Sequence, residues 1–151
     1  MRRDGSNARR VSQGSAINTE ATFAPDGKTL YFVSDRGGSP QIYKQAVAGG
    51  NAERVTFSGS YNISPDISPD GRTLAFVQRQ GGGAFKVMTM DLASGTTQSV
   101  SDTSDDESPS FSPNGRFIIY ATRAQGRELL MTTTLDGRIK TRLLTSGLDI
   151  R

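Results

Sequence analysis

The 151-residue chain has 34% hydrophobic residues, 17 glycines and a net charge of +3, and contains no cysteine and no histidine. Lack of histidine removes Ser-His-Asp and Cys-His catalysis and imidazole-ligated metals; lack of cysteine removes disulfides and zinc-thiolate sites. No run of ~18 apolar residues could cross a bilayer as a helix, and short apolar runs among many glycines favour an all-β chain.

In chain order, Gly5-Ser6-Asn7-Ala8-Arg9-Arg10-Val11-Ser12 has a later counterpart in Gly49-Gly50-Asn51-Ala52-Glu53-Arg54-Val55-Thr56. Residues 1–17 therefore read as the tail of a preceding structural unit, with no signal-peptide pattern ahead of them. Arg2, Arg3, Arg9 and Arg10 form the one basic cluster. No aromatic residue interleaves with it, so the sequence predicts charged strand edges and no nucleic-acid partner.

The stretch E-A-T-F-A-P-D-G-K-T-L-Y-F-V at 20–33 then begins a repeat. It returns as S-P-D-I-S-P-D-G-R-T-L-A-F-V at 64–77 and S-P-S-F-S-P-N-G-R-F-I-I-Y-A at 108–121. Phe23, Ile67 and Phe111 correspond, so each step, 23 to 67 and 67 to 111, is 44 residues. Proline presets the first turn corner, Asp or Asn tolerates the second, and glycine takes the positive φ that closes it. The strand after each turn is apolar throughout (Leu30–Val33, Leu74–Val77, Ile118–Ala121), which predicts cover on both faces.

A strand-turn-strand repeat of ~40–45 residues is the signature of a propeller blade of four antiparallel strands. Blade one is expected over 18–61, with strands Thr29–Ser34, Gln41–Val47 and Glu53–Phe57 after the one holding Phe23. Blade two spans 62–105 and blade three 106–147, while 148–151 read as the lead into a further blade. Phe85–Met90 and Glu128–Thr134 are the expected third strands of blades two and three, and Asp136-Gly137 is a strong hairpin signal.

Chemistry-bearing motifs are few. No serine lies three residues before any lysine, so a Ser-x-x-Lys nucleophile is absent. Gly81-Gly82-Gly83 joins two strands without a helix behind it and reads as a loop, not a phosphate cradle. Asp105 and Asp106 are a weak calcium candidate lacking EF-hand spacing, and Asn62-Ile63-Ser64 matches a glycosylation sequon of low specificity. No cofactor is expected. The residues leading into the three inner strands are Asn18-Thr19-Glu20, Asn62-Ile63-Ser64 and Asp106-Glu107-Ser108. In a propeller they ring the channel mouth, where they could contact a partner or simply end loops through local hydrogen bonds.

Asn18-Thr19-Glu20, Ala24-Pro25-Asp26-Gly27-Lys28, Ser34-Asp35-Arg36-Gly37-Gly38, Pro40-Gln41-Ile42-Tyr43, Met90-Asp91-Leu92-Ala93-Ser94-Gly95, Asp106–Phe111 and Asp136-Gly137-Arg138 together resemble the TolB family of the Tol–Pal system. The resemblance implies about three blades of a six-bladed propeller, a periplasmic location and no enzymatic activity. It also implies binding of the peptidoglycan-associated lipoprotein Pal at the channel mouth, in support of outer-membrane integrity and constriction at cell division. Other Tol proteins and bacteriocins are further implied partners; membrane insertion is not. Thr19 and Glu20 carry over directly to the binding surface, and Asn62, Asp106 and Glu107 by blade equivalence. The rival reading is the regulatory propeller of a prolyl-oligopeptidase-like serine peptidase. Three blades with open ends would also be expected to self-associate.

Overall fold

Each Pro-Asp-Gly or Pro-Asn-Gly turn closes identically in the computed structural model, which describes residue 10 and residues 16–143. In the middle copy the Asp70 carboxylate accepts the Arg72 amide (3.0 Å), while the Ser68 amide donates to the Thr73 carbonyl (2.9 Å). Asp26 and Asn114 take Lys28 and Arg116 in the same way. Gly27, Gly71 and Gly115 sit at φ of 68°, 76° and 73°, a region that costs L-residues strain and glycine almost none.

These turns organise three antiparallel four-stranded sheets. The first holds β1 (Asn18–Phe23), β2 (Thr29–Ser34), β3 (Gln41–Ala46) and β4 (Glu53–Arg54). The second holds β5 (Asn62–Ile67), β6 (Thr73–Arg79), β7 (Phe85–Asp91) and β8 (Thr97–Ser99). The third holds β9 (Asp106–Phe111), β10 (Phe117–Ala124), β11 (Arg127–Thr134) and β12 (Lys140–Arg142). Strand order follows chain order in each, as in a propeller blade, and Gly81–Gly83 form a single 3-10 turn. The expected tail at 1–9 and 11–15, and everything from 144 on, lie outside the described residues.

The outermost strand of the first sheet is shorter than the sequence predicts. β4 ends at Arg54 rather than Phe57 because the next step is made by a side chain. Val55 still donates its amide to the Ile42 carbonyl (2.8 Å), but the Ile42 amide turns to the Thr56 hydroxyl (2.9 Å). Val100 and Ser101 repeat the arrangement on Val87. Val-Thr and Val-Ser thus end the ladder with a hydroxyl in place of a carbonyl.

The core lies between blades. Tyr31, Val33 and Ile42 of the first sheet pack on Ile67, Leu74, Phe76, Met88 and Met90 of the second. Ala75 and Val87, on the other face of the second sheet, pack with Val100 against Ile118 and Tyr120 of the third. β6 is therefore buried continuously from Leu74 to Gln78. β10 alternates instead, with Ile118, Tyr120 and Thr122 buried and Ile119 and Ala121 half-buried. The expectation of cover on both faces holds for β6 and fails for β10, because no further sheet lies beyond β9–β12 among the described residues.

One member of this core is poorly provided for. The Tyr120 hydroxyl is buried and makes no hydrogen bond of good geometry, with the Thr103 hydroxyl, itself a donor to Asp106, as its nearest polar neighbour. Burial pushes its phenol from the usual 10 up to about 12; Thr103 pulls it back in part, while Asp106 and Asp102 add to the rise. Below pH 10 the phenol is neutral in both states; above it, only the unfolded chain ionises freely. Stability should therefore fall as pH rises from 10 toward 12, and Tyr31, raised mainly by burial, adds to the same slope. Tyr120→Phe should flatten that fall at little cost near neutrality, because it removes an unsatisfied polar atom. Urea midpoints at about pH 8 and about pH 11 measure both effects.

Candidate functional site

The inner strands β1, β5 and β9 run side by side, and their first residues gather at one end of the molecule. Each strand is interrupted at the same place. Pairing with the second strand skips between Thr19 and Thr22, between Ile63 and Asp66, and between Glu107 and Ser110. At each skip one non-glycine residue takes a left-handed conformation: Glu20 at φ 53°, Ser64 at 56° and Ser108 at 54°. Such a bulge removes a residue from the ladder and re-aims its side chain. Left-handed non-glycine residues cost ~1–3 kcal/mol each, so a threefold repeat marks a feature imposed by the surroundings.

The bulged residues communicate across blades. The Ser64 hydroxyl donates to the Glu20 carboxylate at 2.6 Å. Two residues on, Asp66 reaches from the second sheet to accept the Phe111 amide of the third at 2.8 Å. Burial raises the Asp66 carboxyl above its usual range, and the Phe111 and Ile67 amides pull it back in part.

The nine residues expected to ring the mouth differ in exposure. Thr19, Glu20, Glu107 and Ser108 are exposed and Ser64 is half-buried, so these five are accessible. Ile63 is half-buried against the core between the first two blades. Asn62 and Asp106 are not on the rim: they are 0% and 3% exposed. Asn62 donates to the Gln41 side-chain oxygen (2.8 Å) and the Ser58 carbonyl (2.9 Å), and accepts from Gln78 (3.1 Å). Asp106 accepts from the Ser101 and Thr103 hydroxyls. Both are latches that tie a blade's first inner residue to the end of the preceding blade. Asn18, half-buried, accepts from Arg36 at 2.9 Å and donates to the Ala16 carbonyl.

The latch also bears on two weak motifs. A sequon at Asn62 is sealed in the interior, and the Asp106 carboxylate, half of the calcium candidate, is committed to two hydroxyls while Asp105 lies exposed. Among the described residues no cluster of three or more His, Cys, Asp or Glu side chains is placed to hold a metal ion.

Sequence reasoning missed Asp66, Gln41, Thr56 and Gln78. The sequence offers a partial signal, because Val55-Thr56 and Val100-Ser101 both follow a valine with a hydroxyl, 45 residues apart and so one residue out of step with the repeat. At the opposite end, an open cleft of about 1020 Å³ lies between the turns of the second and third blades, beside Asp70, Arg72, Asp91 and Asp136. Asp70 and Asp136 are held below the usual carboxylate range by Ser68 and Thr134 and by the Arg72 and Arg138 amides. Those carboxylates are closing their own turns.

The family model for the TolB beta propeller domain matches residues 1–151. The chain belongs to the TolB β-propeller family. The crystal structure of TolB from Acinetobacter baumannii superposes with a TM-score of 0.85 at 44% identity, over 95% of this chain and 36% of that one. The Tol-Pal system protein TolB of Bordetella pertussis is 49% identical over 45 residues, 30% of this chain and 10% of its own length. A TolB-type structure from Agrobacterium tumefaciens shares the fold at 23% identity and a TM-score of 0.82, covering 91% of this chain and 50% of its own. The chain thus spans about a third of the Acinetobacter TolB and a tenth of the Bordetella one. Among the described residues no helix is long and apolar enough to cross a membrane.

Proposed function

We propose that this chain is a non-enzymatic, protein-binding part of a TolB propeller, which receives the lipoprotein Pal at the channel mouth in the periplasm. In that role it supports outer-membrane integrity and constriction, with bacteriocins as further partners at the same end and other Tol proteins as partners elsewhere on the protein. The match to the TolB family along the whole chain carries this reading, and favours it over a peptidase's regulatory propeller. The mouth adds support of its own, because Thr19 and Glu20 are exposed where the inner strands begin. A carboxylate there can accept charge-assisted bonds from a partner's amides or basic side chains.

Calorimetric titration with a soluble Pal domain is the test. Glu20→Ala is expected to weaken binding at least about tenfold, or ~1.4 kcal/mol. Thr19→Ile should weaken it as well by placing a branched apolar group beside that carboxylate. Arg116→Ala, in the exposed turn at the other end, should leave binding unchanged. Failure of the parent chain to bind Pal sinks the proposal, and so does an Arg116→Ala loss equal to that of Glu20→Ala.

A further inference from the structure

Asn114-Gly115 is the one Asn-Gly pair in the chain, and it stands where the other copies of the repeat have Asp26-Gly27 and Asp70-Gly71. The second and third turns are otherwise the same turn. The Asp70 carboxylate accepts the Ser68 hydroxyl (2.6 Å) and the Arg72 amide (3.0 Å). The Asn114 side-chain oxygen accepts the Ser112 hydroxyl (2.7 Å) and the Arg116 amide (3.0 Å). The Ser68 and Ser112 hydroxyls in turn accept the Thr73 and Phe117 amides. In the third turn these contacts favour a reaction. The Arg116 bond closes a ring that contains the Gly115 nitrogen, so the exposed Asn114 side chain lies folded along the peptide bond that follows it. Glycine has no Cβ to shield that nitrogen. The two donors on the side-chain oxygen sit where negative charge gathers when its carbonyl carbon is attacked, as in an oxyanion hole.

We propose that Asn114 is a site of spontaneous deamidation, and that its turn takes the aspartate product without rearranging. The Gly115 nitrogen bonds to the side-chain carbonyl carbon, and the side-chain nitrogen leaves as ammonia, carrying off the Gly115 proton. Water opens the cyclic imide that remains. Addition at the side-chain carbonyl restores the main chain and leaves aspartate, one negative charge more at the end opposite the mouth. Addition at the main-chain carbonyl leaves isoaspartate, whose extra main-chain carbon throws the Gly115–Ser112 and Arg116–Asn114 bonds out of register. Aspartate at this position makes the bonds that Asp70 makes in the second blade. Asp70 itself resists the same attack, because the Ser68 hydroxyl and the Arg72 amide keep its carboxyl ionised, below the usual carboxylate range. The restraint on Asn114 is the Gly115 amide, which donates to the Ser112 carbonyl (2.9 Å) and must come free before its nitrogen attacks. A surface turn opens that far at little free-energy cost.

The test incubates the 151-residue chain at mildly alkaline pH, where the Gly115 proton is lost faster, and follows it by intact mass and peptide mapping. Position 114 is expected to exchange amide for carboxyl at least about tenfold faster than Asn51, which is also exposed but precedes Ala52. Asn114→Gln should abolish the change at that position. Asn114→Asp, which starts from the product, should unfold at the same urea concentration as the parent chain. An Asn114 that keeps its amide, a rate no greater than that of Asn51, or an Asn114→Asp midpoint below the parent's overturns the proposal.

Discussion

A valine at Gly137 is expected to lower the unfolding free energy by about 4 kcal/mol. Two penalties act there together. The residue sits at φ 74°, where a β-branched side chain is strained, and a Cβ would stand 3.0 Å from the Val100 Cα and 3.3 Å from its carbonyl oxygen. Those atoms are backbone of the neighbouring blade and cannot rotate aside as a side-chain tip would. Gly95, in the matching turn of the second blade, has a similar φ of 78° but nothing within 4 Å. Gly95→Val should therefore cost strain alone, about 2 kcal/mol. Urea unfolding of the two variants measures the difference, and equal midpoints would mean that the turn does not press on Val100.

Asn62→Asp should cost about 3 kcal/mol although only one atom changes. The amide nitrogen of Asn62 faces two acceptors, the Gln41 side-chain oxygen and the Ser58 carbonyl, and the position is fully buried. A carboxylate would turn both bonds into repulsions in a poorly solvated site. Asp106 occupies the equivalent place in the next blade without penalty because its partners, Ser101 and Thr103, are hydroxyls that donate. The loss at Asn62→Asp should shrink as pH falls toward 4, where a protonated carboxyl can donate one of the two bonds. Unfolding at about pH 7 and about pH 4 tests this; a pH-independent loss would place the defect elsewhere.

The repeat made most of the fold legible. Proline, Asp or Asn, and glycine in register at 25–27, 69–71 and 113–115 located the turns, and the apolar run after each located the second strand; β2 has the limits expected of it. The end of β4 was illegible, because Thr56 takes over a ladder bond with its side chain, as Ser101 does in the next blade. The mouth was half legible. Thr19, Glu20, Glu107 and Ser108 lie exposed as polar strand entries should, but Asn62 and Asp106 have the same residue character and are buried. Their burial depends on partners outside the motif, such as Gln41, 21 residues earlier. The bulges left no trace in residue type: Glu20, Ser64 and Ser108 are neither glycine nor asparagine, the residues that usually announce a left-handed backbone.

The latch at Asn62 and Asp106 also sets how the chain can come apart. The first and second blades each finish their outermost turn with a group supplied by the blade that follows, so neither is a self-sufficient unit of melting. In stacked repeats, stability divides between the repeats and their nearest-neighbour contacts. Here the contacts include buried polar bonds as well as apolar faces, which makes the nearest-neighbour share large. The second sheet is gripped from both sides, and loss of the first or the third sheet strips it of one grip. Disorder in one sheet is thereby handed on to the sheet beside it.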